Sequence, residues 1–154
     1  MYGTVLVLHS LIRWAVLLTG LFAAVRGISG WRSRRPWTLS DERAGFWFLT
    51  TLDLQFLLGL VLYGVLSPIT WAAFHDFGAA MKDPIARFWA VEHAFGMIVA
   101  ITLAHIGRSR VHKTGYDGKR HKLAAIFFTL AILIILASIP WPGLPHGRPL
   151  LPWR

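Results

Sequence analysis

Four apolar stretches, approximately residues 4–25, 46–66, 88–106 and 123–139, dominate this chain. Each is close to the roughly 20 residues that an α-helix needs to cross the hydrocarbon core of a bilayer. Only 15% of the 154 residues are charged and 55% are hydrophobic, whereas a soluble domain carries roughly 25% charge. The expected fold is therefore all-α, an integral membrane up-down bundle of four helices. Residues 1–154 read as a single transmembrane domain, because little chain is left over for a soluble one. The first stretch lacks a basic n-region, and His9 and Arg13 interrupt it, so it reads as a retained helix and not as a signal peptide.

The net charge of +9 is informative mainly through its distribution. Arg26, Arg32, Arg34, Arg35 and Arg43 lie between the first two stretches. Arg108, Arg110, Lys113, Lys119, Arg120 and Lys122 lie between the third and fourth. Lys82, Arg87, Arg148 and Arg154 make only four on the opposite side. The positive-inside rule then places both basic loops in the cytoplasm and both termini outside, in a multi-pass protein of a bacterial inner membrane. Basic residues that flank spans, instead of forming one patch, argue against nucleic acid as a partner. The lipid bilayer is the expected one.

There are no cysteines. This excludes covalently attached c-type haem, cysteine-ligated iron–sulfur clusters and disulfides, and leaves b-type haem open. Of the loops, residues 27–45 are punctuated by Gly, Ser, Arg and Pro, and Ser40 is placed to cap the second helix or a short lead-in to it. The outer loop 67–86 carries Trp71, Phe74 and Phe77, which favour the headgroup level. The tail from Pro140 is too rich in proline for a helix interior and should fold back over the outer surface.

His9 and His93 are the residues most suggestive of chemistry. Each lies about five residues in from the outer end of its span, so their depths agree to within a turn. Ionisable groups inside a bilayer usually have a functional partner. Two imidazoles at one level on helices one and three, which can be diagonal in a four-helix bundle, suit the two axial positions of a haem iron. The plainer alternative is that each histidine bonds a neighbouring helix. Zinc or copper lacks a third and fourth ligand nearby.

Several neighbours join this candidate site. Gly96 follows His93 by three and would let a flat ring approach, although it serves plain helix packing equally well. Arg87 at the outer mouth and Tyr63 on helix two are placed to meet haem propionates, and Tyr63 also a quinone. Arg13 lies one turn below His9 and needs an interior partner, with Glu92 expected by depth, Gln55 as an alternative and Asp53 a weaker match. A second haem would use His105 and His121 at the inner boundary. His93 and His105 are twelve residues apart, about 120° around a helix, which disfavours stacked haems sharing that helix. One haem is therefore favoured over two.

His9 with Arg13-Trp14, Gln55 with Gly59 and Tyr63, Arg87-Phe88 with Glu92-His93, Gly107-Arg108, and Ile139-Pro140-Trp141-Pro142 followed by Arg148-Pro149 give the chain a family likeness. It resembles small bacterial four-helix membrane proteins of the cytochrome b or cytochrome b-like type. The resemblance implies a non-covalent haem b and electron transfer, with a redox partner protein or a quinol, and supplies no substrate. It points to an electron-transfer protein or subunit more than to a self-contained enzyme. Two alternatives stay open: a non-haem accessory or assembly subunit of a larger membrane complex, and a quinone-binding or proton-coupled membrane protein.

Overall fold

A computed structural model describes residues 1–151; Arg154, counted above among the outer basic residues, lies outside them. The helices are α1 (Tyr2–Ser33), α2 (Leu39–Val61), α3 (Pro68–His75), α4 (Phe77–Lys82), α5 (Pro84–Arg87), α6 (His93–His112) and α7 (Asp117–Ser138). Two π-helical segments, Leu62–Leu66 and Phe88–Glu92, continue α2 and lead into α6. No strand occurs among the described residues. Four continuous helical runs, Tyr2–Ser33, Leu39–Leu66, Pro84–His112 and Asp117–Ser138, are long and apolar enough to span a membrane. The chain is a multi-pass, all-helical membrane protein.

In hydrocarbon every backbone N–H and C=O must be satisfied within the segment, which is why the apolar stretches are helices. All four extend well past their apolar limits at the basic end. α1 runs on to Ser33 and stops where Arg34 takes a left-handed conformation at φ 52°. The expected 19-residue connection 27–45 shrinks to residues 34–38. α2 is capped by Thr38 and not by Ser40. The reason is spacing: a capping box needs an acid three residues on, and Asp41 answers to Thr38. The N–H and hydroxyl of Thr38 both donate to Asp41 Oδ2, at 2.9 and 2.7 Å.

Asp41 also locks α1 to α2. Its side chain is 1% exposed and accepts from Arg26 Nε at 2.7 Å and from Arg35 Nη2 at 2.6 Å. The hydrogen bonds to Asp41 raise the Arg35 guanidinium still further above its ordinary pKa. Nearby, Glu42 pairs with Arg108 of α6 and accepts from Trp37.

α1 packs on α2 and α7, and α6 packs on α7 and more lightly on α2, so α1 and α6 are diagonal. The core at the basic end is made of small residues and rings. Ala23, Ala24, Ala44, Ala104, Ala124 and Ala125 are buried around the edge-to-face pair Phe48 and Phe128, whose centroids are 5.6 Å apart. A Cβ on Gly27 would stand 2.6 Å from the backbone N of Ala125, so α1 and α7 touch backbone to backbone there.

At the opposite end the outer loop is ordered into α3, α4 and α5. Ser67, Asp76 and Asp83 cap their first turns, and Pro68 and Pro84 start α3 and α5. The proline-rich tail folds back over this end. Arg148 N–H donates to Pro140 O at 3.0 Å, and His146 stacks on Phe88 at 3.5 Å.

Candidate haem site

The structure brings His9 of α1 and His93 of α6 together across the bundle diagonal, with ring centroids 6.5 Å apart and planes at 71°. Metal–imidazole bonds are about 2.0–2.1 Å, so two rings on opposite sides of one metal place their centroids roughly 6 Å apart. The separation is thus too long for a direct hydrogen bond and suits a shared metal.

The tautomer of His93 is set by α7. Its Nδ1–H donates to the carbonyl of Ser138 at 2.8 Å, which leaves Nε2 with the lone pair. Metal-binding histidines are commonly oriented by this kind of bond from the other ring nitrogen. The acceptor is free for a reason written in the sequence. Ser138 ends α7, and the residue four later is Pro142, which has no N–H to complete a helical bond. His93 itself follows directly on the π-helical segment, whose extra residue per turn resets the register of α6.

His9 is held differently. Gly59 of α2 lies beneath it, where an added Cβ would come 3.3 Å from His9 Cε1. The Nδ1 of His9 and the Oε1 of Gln55 are buried and have no hydrogen-bond partner among the described residues. Both border a cleft with about 1360 Å³ of free space, including its open mouth. His93, Arg13, Tyr63, Trp89, Met97 and Arg148 also line it. Leu60 and Ile98 are about half exposed and line it too, so the mouth lies in the seam between α2 and α6.

The donor set fits a b-type haem. Two imidazoles are available for the iron, apolar and aromatic walls for the macrocycle, and two guanidinium groups for propionates. It does not fit a four-coordinate structural metal, since no group of three or more His, Cys, Asp or Glu converges among the described residues.

Other expected members make contacts different from those expected. Arg13 does not pair with Glu92. Its Nη2 donates to the carbonyl of Leu150 at 2.7 Å, and Trp14 Nε1 donates to the same oxygen at 3.2 Å. Glu92 is taken by Arg87 at 2.7 Å, because the π-helical turn puts residues five apart on one exposed face. Arg87 is therefore engaged outside the cleft. Gly96 faces α7, where Ser138 occupies the space of its missing side chain, so it serves helix packing. Tyr63 does reach the cleft, but its hydroxyl donates to Ala90 O at 2.6 Å.

His105 and His121 have separate partners. His105 bonds Asp53 at 2.8 Å. His121 is fully buried against Gly30 and Trp37.

Arg148 and Ser138 were not singled out as site residues by sequence reasoning. The tail brings Arg148 to the cleft, where it lies 4.6 Å over the Trp89 ring and donates to Tyr2 at 3.3 Å. Pro142 was the only sequence signal for the Ser138 carbonyl.

Comparison with known proteins gives a partial match. Over 73 residues the chain is 36% identical to a protein of Dinoroseobacter shibae described as "Heme A synthase". That stretch is 47% of this chain and 18% of the other. No family model and no solved structure matches the chain.

Proposed function

We propose that the chain is a membrane b-type cytochrome that binds one haem b between His9 and His93 and relays electrons. The observation that carries this reading is the diagonal histidine pair at 6.5 Å beside a cleft with unpartnered buried polar atoms. The partial likeness to a protein named as a haem A synthase supports a haem-related membrane role.

In this reading His93, oriented by the Ser138 carbonyl, and His9, backed by Gly59, would hold the haem iron. Arg13 and Arg148 supply positive charge for propionates, Trp89 and Met97 form apolar wall, and Tyr63 fixes α2 against the segment leading into α6. Bound haem b would supply one-electron redox chemistry. A quinol or a redox partner protein would exchange electrons through the mouth between α2 and α6. The two basic loops face the cytoplasm, as their eleven basic residues favour. The separate partners of His105 and His121 support one haem over two.

The test is pyridine haemochrome quantification of the purified protein beside its His9→Ala and His93→Ala variants. About one haem b per chain, lost in each variant and partly restored by added imidazole, is the expected result. Normal haem content in both variants, or a colourless wild type, overturns the reading.

A further inference from the structure

The seam between α2 and α6 carries a second pair of ionisable groups, which the haem reading leaves unused. His105 Nε2 of α6 meets Asp53 Oδ1 of α2 at 2.8 Å, and the two side chains are 51% and 44% exposed. Asp53 lies seven residues inside the basic-end limit of the apolar stretch 46–66 and His105 one residue inside that of 88–106, so the pair looks outward from the half of the bilayer nearer the basic loops. Ionisable side chains at such depth normally face protein or a water-filled cavity, since lipid chains offer no hydrogen bonds. Here the pair is framed by exposed Leu54 and Leu57 on α2 and Ile106 on α6. α2 and α6 are also the most lightly packed of the neighbouring long helices. Among the described residues, Asp53 Oδ2 and His105 Nδ1 make no hydrogen bond.

We propose that two copies of this chain pair across the α2–α6 seam, each contributing Asp53 and His105 to a shared polar cluster in the half of the membrane nearer the basic loops. The unused groups are what point to a second copy. With the imidazole protonated, each pair presents one free carboxylate acceptor, Asp53 Oδ2, and one free donor, His105 Nδ1–H. A two-fold axis beside it sets the His105 ring of one copy against the Asp53 Oδ2 of the other, and the reverse contact forms at the same time. The patch is therefore self-complementary in hydrogen bonding and charge.

The absence of native cysteine makes the test clean. Thr102 is exposed on α6 one turn from His105, and Leu21 is exposed on the diagonal helix α1. Single Thr102→Cys and Leu21→Cys chains are oxidised in native membranes with copper phenanthroline. Disulfide-linked dimer is expected from Thr102→Cys at ten times or more the Leu21→Cys yield. Adding Asp53→Asn should weaken pairing roughly three- to thirty-fold, the range for interhelical polar bonds in membranes. Equal yields at the two positions, or a Thr102→Cys yield unmoved by Asp53→Asn, overturn the proposal. If the Asp53 variant does not insert, photobleaching of labelled wild-type chain in dilute lipid decides: two steps support pairing and one step overturns it. None of these measurements depends on haem.

Discussion

The two ends of this bundle contain the same kinds of residue put to opposite uses. At the basic end the carboxylates are matched and space is filled, and the one buried ring nitrogen without a partner among the described residues, His121 Nδ1, is packed against protein and not beside a cleft. Asp41 accepts from Arg26, Arg35 and Thr38, Glu42 pairs with Arg108, and alanines and glycines let the helices touch. At the end that carries the termini, α1 and α6 stand apart across a cleft, and His9 Nδ1 and Gln55 Oε1 have no partner among the described residues. Each end buries histidine. His121 is packed into the notch of Gly30 and against Trp37, whereas His9 and His93 face each other at metal-sharing distance. Burial of a histidine inside a membrane helix is thus not sufficient to mark a site. A second imidazole at ligand distance, with unoccupied space beside it, separates the two cases.

The sharpest way to break this contrast is to remove one histidine from each end. His93→Ala should abolish haem binding. His121→Ala should retain haem at wild-type stoichiometry while lowering stability, by about 1–3 kcal/mol, through an unfilled core site. Haem content and thermal unfolding in one detergent measure both effects. Loss of haem in the His121 variant would erase the distinction.

The next largest effect is expected at Asp41. Asp41→Asn removes a buried carboxylate from between two guanidinium groups, and breaking such a pair costs about 3–5 kcal/mol. Unfolding should shift strongly, while the protein that remains folded keeps its absorption spectrum. A spectrum that changes with Asp41→Asn would show the two ends to be coupled.

Glycine substitutions sharpen the comparison at smaller amplitude. Gly27→Ala presses a methyl onto the backbone of α7, which cannot yield as a flexible side chain can, and overpacking of this kind costs about 1–3 kcal/mol. Gly59→Ala meets only the edge of the His9 ring, at 3.3 Å. That ring can shift by a few tenths of an ångström, so stability should change by less than about 1.5 kcal/mol. Under the proposed ligation by His9 the ligand geometry should change instead, and the position of the haem absorption bands reads it. Equal stability losses at the two glycines would contradict the view that one end is filled and the other adaptable.

The sequence conveyed the architecture because hydropathy dictates it: four spans, their order and the depth match of His9 and His93 all follow from apolar length and position. It also foretold the folded-back tail through its prolines. It misplaced the polar partners. Glu92 looked like the match for Arg13 by depth, but depth ignores rotation around the helix, and the π-helical turn swings Glu92 onto Arg87. Arg13 instead finds the Leu150 carbonyl, 137 residues away in a tail whose path no periodicity encodes. Gly96 illustrates the same limit: a glycine signals close approach but not which neighbour approaches, and here it is Ser138.

The low-temperature EPR spectrum of the oxidised, purified protein bears most directly on the central claim. The account predicts one low-spin ferric haem with two axial imidazoles, strongly anisotropic because the His9 and His93 planes stand at 71°. A high-spin signal, or haem that remains low-spin after His9 is replaced by alanine, would contradict it.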